Sequence, residues 1–456
     1  MTDSHKRPVA IHGYKWLRPG IGVKRWILLM GLGSTLIGLA VVHAVVILKD
    51  LGVLPQSVYR IVTLEFLSPT ARVVLGFALG IAAIAVAFRQ ISKAVFLPFL
   101  QTGGVPLADA VFHQRRRMRG PHIVAIGGGT GLSALLRGLK EKSGNITAII
   151  TVADDGGSSG RLRRELGLPP PGDFRNCIAA LADDEALITQ LFQYRFGRSP
   201  EMDRCSESEL SGHSFGNLFI AAMTAITGSF ESGLSQAGRV LAIQGQILPS
   251  SLADVTLVAD VRESEPDATR YLGPASALSG RVLKRVTGES RIPESRGVIE
   301  RVFLRPEHAP AYPTAVKAIL TADLVVLGPG SLFTSVLPNL LIDGLRQALL
   351  ATPAAVVYVC NVATQPGETD GFDTGDHVRA IERHIGRGII DLVVVNSGRP
   401  PGDAVGNTEF VQHGHVEGVP VIVEDLVDPE RPWRHDSRKL SNLILNIVSD
   451  IKEKAT

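Results

Sequence analysis

The sequence predicts an α/β protein: a mostly parallel sheet with helices on both faces over residues 121–456, behind a membrane module in residues 1–120 with transmembrane helices at about 26–48 and 71–90. Three observations predict it. Short β-rich runs that end in glycine turns alternate with helical runs. Two apolar stretches nearly free of charge come before them. The charge divides between the two parts: residues 1–120 hold fifteen Lys and Arg against four Asp and Glu, a net of +11, and the whole chain's +3 leaves −8 for the rest. A chain of 456 residues with 45 % hydrophobic and 20 % charged side chains is not a disordered one. An acidic second part also argues against a nucleic-acid partner, which would need a basic patch on the folded domain.

The first stretch, 26–48, contains His43 as its one ionisable group. At about 1.5 Å per residue it is long enough for a hydrocarbon core of about 30 Å. It is too long for a signal-peptide core, and a second span follows it. That second stretch, 73–88, lies between Arg72 and Arg89 and is extended by snorkelling arginines and the apolar run to Leu100. Basic residues flank the pair on both outer sides: Lys6, Arg7, Lys15, Arg18, Lys24 and Arg25 before it, and Arg89, Lys93, Arg115, Arg116, Arg117 and Arg119 after it. The positive-inside rule then places both termini and the main domain in the cytoplasm, on a two-span anchor in the cell (inner) membrane. Gly31, Gly33 and Gly38 are expected to let the helices pack closely. No acidic pair or polar stripe marks a transport path. Residues 101–120, with Gly103, Gly104 and Pro106, read as a linker, and the basic cluster at 115–119 as a contact for anionic lipid or a plain topology signal. Cys177, Cys205 and Cys360 are too few and too scattered for a disulfide framework or a cysteine zinc site.

In the second part, strands are expected at 122–126, 146–152, 323–327, 355–360 and 392–396, with helical runs between them and a last helix at 438–454. Residues 245–310 break this alternation; their strand-like runs at 255–261 and 298–303 predict an antiparallel insertion or edge.

The chemistry-bearing residues sit where strands end. After the first strand come Gly128, Gly129, Thr130 and Gly131. Without a Cβ, glycines let backbone N–H groups approach a phosphate at the N-terminus of the next helix. No Gly-Lys-Ser/Thr follows, so this is not a Walker A loop, and Leu132 breaks the G-x-G-x-x-G pattern; a tight strand–helix turn is the plainer reading. After the second strand, Asp154 and Asp155 would hold Mg2+ or take sugar hydroxyls. Ser158 and Ser159 would donate to phosphate and Arg161 would clamp it, against the plainer reading of a solvated Asp-Gly turn. Asp173 fits a helix N-cap, with Arg175 and Asn176 facing the same end of the sheet. His213 and Asn217 open an apolar helix, as ligand contacts or as a polar cap. Gly328, Gly330 and Ser331 form a second strand–turn–helix anion site, and two such sites suit a nucleotide diphosphate. Asn361, Thr364 and Gln365 lie in a polar loop suited to sugar or base edges, where a buried loop anchor is the alternative. Phe372 would stack on a base, and Asp376 would cap the helix after it.

Together these segments closely resemble the YvcK family, the gluconeogenesis factors, grouped with the CofD-like phospholactate transferases. The resemblance covers 121–451 and rests on the runs at 127–133, 151–161, 169–176, 212–217, 327–332 and 360–369 and on Arg434-His435-Asp436. It implies a Rossmann-like core that binds a UDP-sugar, typically UDP-N-acetylglucosamine, and regulates envelope-precursor supply, cell shape and growth on gluconeogenic carbon. Its implied company is a protein partner in amino-sugar metabolism and a second copy of the chain. The enzymatic alternative is a Mg2+-dependent CofD-type transferase that moves a phospholactyl group from a nucleotide diphosphate donor. A third reading, an NAD-dependent dehydrogenase, would use Asp154 to close the second strand, yet the Gly-Gly-Ser-Ser-Gly after Asp155 looks built for anions. The chain departs from the family pattern in its membrane hairpin, in Phe372 where a polar aromatic is expected, and over 398–417.

Overall fold

Strand Ile123–Gly127 (β1) runs through the middle of a seven-stranded sheet with every residue buried. The computed structural model describes residues 24–53, 55–96, 120–183, 185–197, 210–262, 283–295, 297–397 and 409–455. The chain divides into two units between Arg116 and Arg117, and each is described by itself. The basic residues before position 24, the linker and its cluster at 115–119, Cys205 and the stretch 398–408 lie outside the described residues.

In the first unit, Lys24–Asp50 (α1), Gln56–Val62 (α2) and Pro69–Phe96 (α3) are helical. The segments Gly31–Asp50 and Pro69–Val86 are long and apolar enough to cross a membrane, and neither is buried against protein. The close packing expected at Gly31, Gly33 and Gly38 is not seen: a Cβ added at any of the three would meet nothing within 4 Å.

The second unit continues from β1 with Gly129–Leu139 (α4), Ile146–Ile150 (β2), Gly157–Leu166 (α5), Gly172–Leu181 (α6), Glu185–Gln193 (α7), Phe215–Thr227 (α8), Phe230–Val240 (α9) and Gln246–Pro249 (β3). Next come Thr256–Arg262 (β4), Leu283–Thr287 (β5), Val298–Arg305 (β6), Pro313–Leu320 (α10) and Leu324–Leu327 (β7). A π-turn at Leu332–Val336 leads into Leu337–Leu340 (α11), followed by Asp343–Ala351 (α12), Ala355–Val359 (β8), Thr374–Ile385 (α13), Leu392–Asn396 (β9), Val421–Glu424 (β10) and Ser437–Ala455 (α14). The main sheet has the order β10-β9-β8-β7-β1-β2-β3, with every neighbouring pair parallel. Its inner strands are continuous apolar runs because helices cover both faces. Helix α4 buries Leu132, Leu135, Leu136 and Leu139 at helical spacing.

The insertion is a separate antiparallel sheet of order β5-β4-β6. The Val302 N–H donates to His384 Nε2 on α13 at 2.9 Å, and the Ser290 N–H donates to Asp155 Oδ1 at 3.0 Å. The sheet is thereby tied to the loop that follows β2. One boundary expectation fails: β3, within the stretch read as antiparallel, belongs to the parallel sheet as its edge strand.

Candidate functional site

The chain fills one side of the sheet with β1, β2 and β3 and then returns beside β1 to build β7, β8, β9 and β10 on the other. The switch in direction falls between β1 and β7, where the loops at the carboxyl ends of two adjacent strands turn away from each other and leave a crevice. Both glycine turns border it. Their helical turns start at Gly129 and Leu332, and neither Gly128 nor Ser331 caps its own turn; instead the Asp173 carboxylate accepts from the Gly129 N–H and the Glu368 carboxylate from the Phe333 and Thr334 N–H groups.

The cleft there has a volume of about 440 Å³. Of the expected residues, Gly128, Gly129, Thr130, Gly131, Gly330, Ser331, Asn361, Thr364 and Gln365 line it. Gly328 stands beneath, its N–H bonded to the Ile126 carbonyl at 2.8 Å. Two glycines are required by close approach. A Cβ at Gly128 would strike the Asp173 carboxylate, and one at Gly131 would lie 2.7 Å from the Pro329 carbonyl oxygen. Asn361 acts as a clamp within the protein: its Oδ1 accepts from the Gly330 N–H at 3.2 Å and its Nδ2 donates to the Gly330 carbonyl at 2.9 Å. Gln365 donates to Ser331 Oγ at 2.6 Å, and Thr364 Oγ1 donates to the Glu409 carbonyl at 3.2 Å.

The remaining expected residues do not line the cleft. Ser158 Oγ lies 3.1 Å from His213 Nδ1, and the Asn217 amide donates to Ser158 and Ser159 at 3.2 and 3.4 Å. Arg175 donates to Ser214 Oγ at 2.7 Å and to Asn176 Oδ1 at 3.1 Å, while Arg161 donates to the Ser211 carbonyl at 2.9 Å. These groups tie α5, α6 and α8 together, and Ser214, not His213, is the N-cap of α8. Phe372 packs edge-on against Phe333 and His377, with ring centroids 6.1 and 5.6 Å away, rather than standing free for a base. Asp173 is not a cap either: Pro171 holds that position, and the Asp173 carboxylate accepts from the Gly129 N–H instead. Asp376 is not the N-cap of its helix: Asp373 holds that position, and Asp376, in the first turn, accepts from the Asp373 N–H in a reciprocal capping box.

A group of carboxyls lies behind the glycine turn. Burial, then the neighbouring Asp154, pushes Asp173 up to about 6. Glu289, from the antiparallel sheet's short helical turn, is pushed up to about 8 by burial and then by Asp154, Asp173, Glu368 and Asp155. Burial raises Glu368 to about 7 although Thr334 Oγ1 donates to it at 3.0 Å. The folded chain holds protons here that the unfolded chain releases above its ordinary carboxyl pKa. Stability therefore falls as pH rises from about 4.5 towards about 8 and levels off above that. Glu289→Gln is expected to melt about 2–4 °C above the unaltered chain at pH 8, with the difference gone near pH 4.5 in thermal denaturation. No group of three or more His, Cys, Asp or Glu able to hold a metal occurs among the described residues. Asp154 already accepts from the Gly156 N–H at 2.8 Å and Asp155 from Ser290. Mg2+ at this pair would need ligand phosphates and water to complete its shell.

Sequence reasoning assigned no role to Trp433, Arg434 or His435, which also line the cleft. The signal was present, since Arg434-His435-Asp436 stands out as a motif, but no strand end points to it. Among the described residues Arg434 is the one permanent cation in the lining, and no Asp or Glu joins it there. Burial pushes His435 down to about 4, against the opposing effect of its hydrogen bond to the Cys360 backbone, so it is neutral near pH 7.

Residues 123–449 match the family model described as 2-phospho-L-lactate transferase CofD. The chain is 44 % identical over 340 residues to the gluconeogenesis factor of Bacillus subtilis (strain 168), covering 72 % of this chain and 99 % of that one. It is 41 % identical over 425 residues to a Nostoc protein given the same name provisionally, covering 90 % of this chain and 84 % of that one. A crystal structure of a UPF0052-family protein from Bacillus halodurans matches with a TM-score of 0.62 at 44 % identity, covering 72 % of this chain and 99 % of that one. The Nostoc match is long enough to take in part of residues 1–116, whereas the two Bacillus matches are about the size of the second unit.

Proposed function

The chain belongs to the gluconeogenesis-factor (YvcK) family with a CofD-type domain, and from that premise we propose that its second unit is a UDP-sugar sensor, with UDP-N-acetylglucosamine as the ligand to test first. The observation that carries this reading is the pair of glycine turns on either side of the β1/β7 switch point, with Arg434 as the cation of a cleft whose described lining residues include no Asp or Glu. A diphosphate fits such a place: glycines without a Cβ let the backbone come close to its oxygens, and a guanidinium pairs with two of them at once. In this reading the ligand reports the supply of envelope precursor. The output is regulation of that supply, of cell shape and of growth on gluconeogenic carbon, through a protein partner in amino-sugar metabolism and with self-association as a further element. The two apolar helices of the first unit would tether the sensor to the cell membrane with its cleft in the cytoplasm.

The group of carboxyls behind the glycine turn favours a second reading, a CofD-type transferase in which Asp154 and Asp155 meet Mg2+ together with the ligand's phosphates. The two readings separate in one titration: a sensor binds the UDP-sugar with or without Mg2+ and leaves it intact, while a transferase needs the ion and releases a nucleotide product.

The Bacillus halodurans relative consists almost wholly of the matched unit, so residues 121–456 are expected to fold without the helices. In calorimetry this fragment is expected to bind UDP-N-acetylglucosamine within about tenfold (~1.4 kcal/mol) of the full chain, losing localisation alone. No heat at millimolar ligand would reject the sensor reading. A larger drop in affinity would mean that the first unit takes part in the site.

A further inference from the structure

We propose that residues 51–68, which join the two apolar helices, are not a loop in water but a third membrane-contacting element, lying in the interfacial layer of the bilayer. The inference rests on the reading of α1 and α3 as membrane spans and adds a contact surface to it.

A connector meant for water would expose polar side chains. This one exposes large apolar ones: Leu51, Val53, Ile61 and Phe66 have relative exposures of 69, 67, 69 and 73 %. Single exposed apolar residues are ordinary, but several within one short connector mark a surface that is covered by something else. The spans on both sides, unburied and apolar, run directly into it, so what covers them covers the connector too. That occupant is lipid.

The backbone fits the same place. Interfacial and apolar surroundings penalise unpaired N–H and C=O groups, and here the turns bond internally. Val53 N–H donates to the Leu48 carbonyl at 3.1 Å, Glu65 N–H to Arg60 at 2.9 Å and Leu67 N–H to Leu64 at 2.9 Å. The side chains arrange themselves as an interface requires, rings and aliphatic chains inward and cations at the phosphate level. The Lys49 ammonium stands 4.3 Å from the Tyr59 ring centroid. Arg72 closes the second bend by donating to the Leu67 and Glu65 carbonyls, both at 2.8 Å. Arg60 pairs with Glu65 at 3.5 Å, and since these are the only charged side chains in 51–68 the segment brings no net charge to the lipid surface. Leu64 adopts a positive φ of 55°, a conformation a leucine holds only where its surroundings impose it; here it bends the chain between Ile61 and Phe66.

The test uses the full chain in phosphatidylcholine–phosphatidylglycerol vesicles. Cys177 and Cys360 are buried with their thiols pushed up by burial, so a Cys205→Ser background accepts a fluorescent label at an added cysteine. Phe66→Cys, Ile61→Cys and Ile81→Cys carry an environment-sensitive nitrobenzoxadiazole dye, and lipids brominated near the headgroup or deep in the acyl chains act as quenchers. The expected result is blue-shifted emission at 61 and 66, lost mainly to the shallow bromines, and at 81, lost mainly to the deep ones. Emission at 61 and 66 as in water, with 81 still quenched by deep bromines, overturns the proposal and leaves the spans intact. Emission as in water at all three positions removes the spans and the proposal together.

Discussion

Gly131→Ala is expected to lower the affinity for UDP-N-acetylglucosamine about 100-fold, a loss of ~2.7 kcal/mol, while far-UV circular dichroism stays unchanged. The new Cβ would stand 2.7 Å from the Pro329 oxygen, 2.9 Å from its carbonyl carbon and 3.1 Å from the Gly330 nitrogen. All three atoms are backbone. They cannot turn aside as the end of a side chain would, because the proline ring restricts φ and Asn361 grips Gly330 by both its N–H and its carbonyl. The two turns must therefore move apart, and a diphosphate that spans them loses one set of donors. Calorimetric titration of the variant checks the result; an affinity within a factor of about three of the unaltered chain would show that the turns do not share one ligand.

The second large effect is expected from Arg434. Among the described lining residues it is the one permanent charge, since its neighbour His435 is neutral near pH 7. Its side chain forms no ion pair among the described residues, so its charge is not already spent within the protein. Arg434→Ala is expected to weaken UDP-N-acetylglucosamine binding by about 100-fold at low salt. Arg434→Lys should recover a part of it, because an ammonium supplies the charge without the planar fork that grips two oxygens. Equal affinity of all three proteins, or full rescue by lysine, would place the phosphates elsewhere or make the contact one of charge alone.

The sequence announced the long, buried elements and concealed the short, exposed ones. Strands β1, β2, β7, β8 and β9 read plainly because both of their faces are covered, which leaves continuous apolar runs ending in glycine or polar turns. The edge strands escaped: β3 is four residues long and ends in Pro249, and β10 is four residues after Pro420 with most of its surface exposed. Neither carries an alternation to detect. At the site, residues that follow a strand directly were placed well, since the strand's end fixes where they emerge. Ser158, Ser159, His213 and Asn217 were not. Small polar residues make the same local pattern whether they meet a ligand or one another, and only their packing distinguishes the two. The Arg434 segment reaches the cleft from far along the chain, and Glu289 reaches the neighbouring carboxyls through an insertion. No local pattern encodes either approach.

The place of β1 at the centre of the sheet also has a meaning for synthesis. One of its edges pairs with β2 within about two dozen residues, Ile123 against Ile146, but the other waits for Leu324. At roughly 5–20 residues per second, that second edge stays open for about 10–40 s on the ribosome. It is five apolar or glycine residues long, the kind of exposed strand to which other nascent chains adhere. A nascent chain with two exposed apolar helices ahead of this strand would leave the translation machinery with a second adhesive surface in addition to the edge that awaits a partner strand not yet made. Cells that produce it must shelter the half-built sheet until translation reaches β7.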